Sequence, residues 1–422
     1  MAAEPQAAGV TTAQKWLVLG FGFFGWLFAG AQLGLMPFAA LTISRDLMGA
    51  AFTPSGAGSW FAAYTAVTML GAASGGILFG HFGDRYGRAR GLAVSMLFFT
   101  CFGLAGGFVR SQEQLILLRF LTGLGVGGTW PNGVSLLSEF WADVSRPAIA
   151  GLMGAGANLG ILLLSLLGRL HPVTPETWRV FMFAAGAPVV VAVAALLLLP
   201  ESPKWLQSRL DAGGGGAAGA PLRELFSTPL LRTTLLGVCL GGIPLLGAWA
   251  SSKWMLPWAD QVAGPDNPGY KATAMLCWSV GATLGGLAGG WVGQTLGRRL
   301  SYALISIGAC AMNLLIFGLL KPLEPLFLPA VLVQGMVSTL FFGWLPLYLP
   351  EIFPTRVRAT GTGISYNSGR FLTAGGVLAA GMLIRWFDGD YARVGSITGL
   401  IYALGVVVIL LAPETKGQSL RG

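Results

Sequence analysis

Apolar residues run through this chain in long stretches, separated at intervals by short polar or glycine-rich clusters. A helix crossing a hydrocarbon core needs roughly 20 apolar residues. Twelve stretches meet that need, at about 15–44, 57–79, 91–109, 113–139, 147–170 and 178–199, then 230–258, 272–294, 301–320, 325–349, 359–386 and 394–412. Residues 200–229, with Asp211-Ala212-Gly213-Gly214-Gly215-Gly216, are polar and flexible in composition and read as a central loop between two sets of six. Residues 1–14 and 413–422 read as tails. The fold class predicted is an all-α membrane protein, with twelve transmembrane helices in two pseudo-symmetric six-helix bundles. The first stretch is too long for the apolar region of a signal peptide and its flank is weakly charged, so no cleavable leader is expected.

The two halves repeat each other. Gly80-His81-Phe82-Gly83-Asp84-Arg85-Tyr86-Gly87-Arg88 returns at an offset of 210 as Gly290-Trp291-Val292-Gly293-Gln294-Thr295-Leu296-Gly297-Arg298. Glu139 and Arg146 return at an offset of 212 as Glu351 and Arg358, and Pro200-Glu201-Ser202 returns at 213 as Pro413-Glu414-Thr415. Three anchors at nearly one spacing mark an internal duplication, the layout of secondary transporters built from related halves.

Composition narrows the class further. Hydrophobic residues make up 54% of the chain and charged ones 10%, against about 25% charged in a soluble domain. Lipid is therefore the solvent. The 64 glycines suit a bilayer, where small residues let helix backbones approach. The net charge of +9 has no compact basic domain to sit on, so no nucleic-acid partner is expected. Four cysteines in apolar runs predict buried free thiols. Two histidines and no Cys/His cluster predict no metal, and nothing calls for a cofactor. With both termini cytoplasmic, 15 of the 26 Lys and Arg fall on inner loops and eight on outer ones. That bias fixes the orientation and points to a plasma (inner) membrane location.

The loop Gly80–Arg90 resembles the signature between the second and third helices of the major facilitator superfamily, with Gly80, Gly83, Asp84, Arg85, Gly87, Arg88 and Arg90 all in place. The resemblance implies a cytoplasmic charge lock on the outward-open state. In the second copy, Gly290, Gly293, Gly297 and Arg298 remain, but Gln294 and Thr295 replace the acid and first arginine, so a weaker lock is expected. Glu139 with Arg146 and Glu351 with Arg358 resemble the family's further charge-relay elements, and also suit plain helix ends. Pro200-Glu201-Ser202-Pro203-Lys204-Trp205 and Pro413-Glu414-Thr415-Lys416-Gly417 look like sugar-porter closing signatures. Pro354-Thr355-Arg356-Val357-Arg358 and Tyr366-Asn367-Ser368-Gly369-Arg370 are closer to metabolite–proton symporters. By the same analogy, span two packs on eleven and five on eight, with Gly71, Gly75, Gly151, Gly160, Gly281, Gly293, Gly375 and Gly376 as the rocking surface.

Charges at bilayer depth are costly and therefore point to function. Arg370 lies 11 residues beyond Ala359, about 16 Å along a helix. Its repeat mate is Asn158. Together they suit a carboxylate, and the alternative for Arg370 is bonding to carbonyls of a neighbouring helix. Arg119 is a further candidate; the resemblance implies an acid for it in the first span. Lys253, near the outer end of the seventh span, either faces the cavity or snorkels to the interface, the second being expected. Gln334 and Trp130 offer hydrogen bonding and stacking. No Asp or Glu stands mid-span: Ala29, Gln32 and Thr129 occupy positions where the related symporters carry acids. A net-positive cavity favours an anion.

The function expected is transport of a small organic anion (monocarboxylate, aromatic acid or acidic sugar) by alternating access, by a monomer rather than an enzyme. Coupling to a proton or other ion is left open. The rivals are a neutral sugar or polyol carrier and, remotely, a non-transporting nutrient sensor.

Overall fold

A computed structural model describes residues 10–141, 146–203, 205–207, 224–354 and 357–417, and within these not the side chains of residues 138, 146–150, 153–154 and 358–359. The expected central loop falls mostly outside this range.

Twelve helical spans carry the described chain: α1 Thr12–Met48, α2 Pro54–Tyr86, α3 Arg88–Ala105, α4 Gln112–Phe140, α5 Arg146–Leu170 and α6 Trp178–Leu198, then α7 Thr228–Ala263, α8 Tyr270–Leu296, α9 Arg298–Gly318, α10 Phe327–Ile352, α11 Arg358–Trp386 and α12 Tyr391–Leu410. Helices dominate because no water is present in hydrocarbon to satisfy free backbone groups. Nine of them are by length and composition able to cross a membrane unaided, and Ala155–Leu170 of α5 is a shorter apolar helix. The other two, α4 and α11, are those that bear Arg119 and Arg370. The large side chains left exposed are apolar, such as Leu197 and Trp386, and face where lipid tails would lie. The protein is a multi-pass integral membrane protein.

Proline punctuates the spans. Pro188 divides α6 into Trp178–Gly186 and Val189–Leu198. In α7, Pro244 precedes a π-helical turn, Gly247–Ser251, and a 3₁₀ turn, Ser252–Trp254. A proline withholds one ladder donor, and such turns re-route the backbone around the loss.

Two six-helix bundles result, α1–α6 and α7–α12, and they meet along two seams, α2 on α11 and α5 on α8. This is the pairing that the family resemblance implied. Most of the glycines named for it, however, do not form that seam, which other glycines line: Gly58 and Gly76 of α2 meet Ile384 and Asn367 of α11. A Cβ on Gly71 or Gly75 would strike the backbone of α4 at Phe120 and Leu124, and one on Gly281 or Gly285 that of α10 at Leu332 and Met336. Gly160 sits likewise against Leu27 of α1. These glycines weld helices within a half, where backbones come closest. Gly376 meets Leu246 of its own half, and Gly151 alone of those named approaches the opposite half, at Leu287.

The twelve spans bring both ends of the described chain, the Gly80–Arg90 loop and its repeat to one end, here called the motif face. Toward the opposite, far face one apolar core runs through both halves, joining Phe38, Phe61 and Met69 to Trp254, Met275 and Ile384. Toward the motif face the core splits in two. One part (Trp26, Met96, Leu137) belongs to α1–α6, the other (Tyr302, Trp344, Tyr402) to α7–α12. The halves are thus drawn together at the far face and separate at the motif face.

The four cysteines are free, with Cys101 and Cys239 exposed and Cys277 and Cys310 half-buried. The expected buried thiols are therefore corrected: apolar runs on a membrane protein face lipid as often as core.

Gly75→Val should lower the melting temperature of the detergent-purified protein by forcing α2 off α4, at about 1–3 kcal/mol. Gly375→Ala, whose added methyl meets open space, should leave it unchanged. Equal melting temperatures for the two would contradict the glycine weld.

Candidate functional site

Between the bundles, α4 and α11 bring aromatic and cationic groups together. Trp130 packs on Trp26 of α1, with ring centroids 4.8 Å apart, and stacks on Tyr366 of α11 at 6.4 Å. The Arg370 guanidinium lies 5.4 Å from the centre of the Tyr366 ring and is 4% exposed. Trp130 and Arg370 are therefore joined through Tyr366, a residue of the sequence motif that had been given no role.

Arg370 and Asn158 are not brought onto one another. Arg370 Nη1 donates to the Ala72 carbonyl of α2 at 3.3 Å, and Asn158 Nδ2 to the Ala282 carbonyl of α8 at 3.0 Å. Ala72 and Ala282 are themselves repeat mates, 210 apart. Each half thus donates, from its fifth helix, to the same carbonyl on the second helix of the other half. The alternative reading of Arg370, a bond to a neighbouring helix carbonyl, is realised. Among the described residues, one N–H···O bond leaves most of its five donors without a protein acceptor.

Arg119 is fully buried. It donates to Gln32 Oε1 at 3.0 Å, to the Gln32 carbonyl at 2.8 Å and to Thr68 Oγ1 at 3.4 Å. Gln32 in turn donates from Nε2 to the Ala185 carbonyl of α6, 2.9 Å away. The implied acid is thus replaced by a neutral amide that supplies acceptors and no charge. Gln334 belongs to a different network. Its Nε2 donates to Ser252 Oγ at 2.8 Å, and Ser252 with Ser251 reaches Asn313 and Tyr402. These groups line the irregular turn of α7 inside its own half.

Lys253 does not snorkel. It is 2% exposed, its Nζ 2.9 Å from the centroid of Trp278 and 5.8 Å from that of Trp249, with no hydrogen-bond partner. The π and 3₁₀ turns of α7 displace it from the interface position that an ideal helix would give.

The motif face is built twice. In the first half, Arg88 pairs with Asp84 at 2.9 Å and with Glu139 at 3.2 Å. Arg85 lies over Tyr86, and Arg90 reaches the Tyr86 carbonyl at 3.5 Å. Gly87, at φ 119°, makes the turn. Gly83 lets Asn132 close in and bond to the carbonyls of Phe79 and Gly128, both at 2.9 Å. In the second half, Arg298 grips Glu351 with two bonds, at 2.7 and 3.0 Å, after Gly297 at φ 92°. Gly293 leaves room for Trp344. The expectation of a weaker second lock is corrected within the half. Freed of a competing acid, Arg298 makes a bidentate pair and is more buried than Arg88. Among the described residues, the ion pairs of this face each lie within one half. The side chains of Arg146 and Arg358 lie outside the described part.

Sequence reasoning missed Glu201 and Glu414. Glu201 Oε1 accepts from Ala89 N at 3.0 Å, and Glu414 accepts from Arg298 N and Arg299 N, both at 3.0 Å. Each repeated Pro-Glu element is an N-terminal cap on the third helix of its half, where helix donors and dipole favour an anion. Their shared offset with the glycine motif was the available signal. Burial pushes the Glu414 carboxyl up, but bonds from the backbone N–H of Arg299, Arg298, Lys416 and Thr415 outweigh it and hold it below 4.5.

At the far face, Lys271, placed by sequence in an outer loop, is buried. It bridges the halves by donating to Thr42 Oγ1 at 2.7 Å and pairing with Asp260 at 3.1 Å.

Two related bundles meeting along paired seams, with buried cations between them and doubled charge clusters at one end, define a two-half membrane carrier. The profile of the Major Facilitator Superfamily matches residues 17–259, more than half of the chain, and the chain belongs to that family. It is 29% identical to a probable 4-methylmuconolactone transporter of Cupriavidus pinatubonensis, over 84% of this chain and 81% of that one. It is 28% identical to the cis,cis-muconate transport protein of Acinetobacter baylyi, over 86% and 89%. The gallate transporter of Pseudomonas putida is also 28% identical, over 88% and 87%. Among solved structures, the partially occluded inward-open xylose transporter XylE of E. coli superposes with a TM-score of 0.75 at 17% identity, covering 97% of this chain and 100% of that one. This likeness shows the shared fold.

A carboxyl held low adds stability that is complete above its unfolded value and lost as pH falls through its folded one. Glu414→Gln should therefore cost about 1 kcal/mol at neutral pH. In thermal melts the gap between variant and parent should close as the pH drops below 4.5. A gap that persisted in acid would remove the cap from the account.

Proposed function

We propose that this protein moves a small organic anion, of the unsaturated or aromatic carboxylate class, across the inner membrane by alternating access, with both termini and the motif face in the cytoplasm. One observation carries this reading: Arg119, Lys253 and Arg370 are buried at membrane depth, and no carboxylate pairs with them among the described residues. Each acidic partner in the described ion pairs sits near a helix end. A buried cation without a counter-ion is costly, and an anionic cargo supplies the counter-ion on binding. The names of the muconate and gallate relatives agree with an acid as cargo.

The halves join at the far face, so the state described is the one open to the cytoplasm. Arg370, stacked with Tyr366 and Trp130 at the seam between the halves, is the substrate-binding residue of choice. Asn158 holds the matching seam. Arg119 with Gln32 lends positive potential, and Gln334 supports the site from behind through Ser252. Asp84, Arg88, Glu139, Arg298 and Glu351 set the motif face, and Arg146 and Arg358 complete its charge relay. One chain holds the whole pathway and works as a monomer.

Counterflow in proteoliposomes tests this without reference to a coupling ion. Labelled benzoate, gallate, cis,cis-muconate and hexoses form the panel. An acid should exchange, and Arg370→Gln should slow it by about 10- to 100-fold, as expected for loss of a charge-assisted contact. Exchange of hexoses alone would sink the anion reading and leave Arg370 a seam residue.

A further inference from the structure

Among the described residues, the ammonium of Lys253 is a buried charge without a hydrogen-bond partner. An ammonium carries three donors and normally fills them. Here Nζ is buried without an acceptor, resting 2.9 Å above the centroid of Trp278. The face of an indole attracts a cation but cannot replace hydrogen-bond acceptors. The same ring leaves its own donor unanswered, since Trp278 Nε1 is also buried without a partner. Two unsatisfied donors therefore belong to one contact. A carboxylate, with two acceptor oxygens, is the simplest group that answers both.

The backbone supports this placement. Lys253 sits in the 3₁₀ turn that follows the π turn of α7. Irregular backbone at membrane depth is tolerated only where protein buries it or a cavity adjoins it, and π turns recur at functional sites. The hydroxyls of Ser251 and Ser252 bond into the α7–α12 half, to Asn313, Gly395 and Tyr402. Lys253 instead reaches across to α8. Trp249, one turn earlier, lines a gap between the halves together with Thr65, Thr68 and Arg119. Its ring lies 5.8 Å from Nζ. The Lys253 position is thus walled by two flat indoles, with a second cation beyond one of them.

Resting on the reading that the cargo is an organic anion, we infer that Lys253 and Trp278 form a second anion subsite, beyond Arg370, for a carboxylate of the cargo, with Trp249 as the face against which a planar conjugated or aromatic body packs. In the empty protein the indole holds the ammonium in place. On binding, the carboxylate takes one oxygen to Nζ and the other to Trp278 Nε1. This subsite lies toward the far face from the Arg370 column.

Lys253→Met tests it in the full chain, purified in detergent, with benzoate and cis,cis-muconate as probes in equilibrium binding and thermal melts. Met keeps the apolar stem and removes the unanswered charge. The ligand-free variant should therefore melt higher than its parent, while binding of the acid weakens about tenfold or more. Lys253→Arg, which keeps the charge, should retain binding within a few-fold. Trp278→Phe, which keeps the ring face and loses the donor, should weaken it. A less stable Lys253→Met would make the ammonium a structural cation and overturn the subsite. Acid binding that Lys253→Met leaves unchanged would overturn it equally, with the anion reading intact. A parent that binds neither acid would sink the anion reading instead, and the subsite with it.

Discussion

Two hydrogen bonds related by the internal repeat tie the bundles at mid-depth: Arg370 to the carbonyl of Ala72, and Asn158 to that of Ala282. Everything that distinguishes one half from the other is arranged around this pair. In hydrocarbon, a helix gains nothing by hiding apolar surface from lipid, so contact between halves depends on close packing and on such polar ties. The ties occupy equivalent places yet differ in chemistry. The Asn bond is neutral and local, whereas the guanidinium is charged, long and only partly used. The seam at α2–α11 can therefore exchange partners, while that at α5–α8 has less to offer. At this pair of ties the near-symmetric frame is asymmetric in charge.

Much of the frame was legible in the sequence. The pairs of helices that meet came from the family resemblance; long apolar runs and nearly constant repeat offsets carried the number of spans and the two halves. These features follow from a period and a solvent, and both are written in composition. Arg370, Arg119 and Asn158 could be singled out because a polar group in an apolar run is conspicuous wherever it points. What could not be read was direction. Gly71 and Gly281 face their own bundle rather than the seam, and Cys101 faces out rather than in, because an apolar helix in lipid lacks the amphipathic stripe that marks the buried side of a soluble one. Lys253 was misplaced for a related reason. Its depth was inferred from an ideal helix, and the π turn after Pro244 alters the register.

The charge pattern has a common logic at both ends and in the middle. At the motif face, each carboxylate is answered by an arginine or by helix donors within its own half, as Glu351 by Arg298 and Glu414 by the start of α9. Each bundle therefore closes its own electrostatics and can move as a unit. At mid-depth the cations are left open. Gln32 stands opposite Arg119 where an acid would have neutralised it, and the residual positive field is a property of the empty protein. Charge that is complete within the halves and incomplete between them is the arrangement expected if cargo, not protein, closes the circuit.

The free cysteines carry a practical consequence. Cys101 lies on α3 of one bundle and Cys239 on α7 of the other, both at the lipid-facing surface. The protein already holds one addressable thiol on each of its two moving bodies. After replacement of the half-buried Cys277 and Cys310, a pair of spin labels at these native positions would report the distance between the bodies directly. No reporter would then have to be introduced into the seams whose motion is in question.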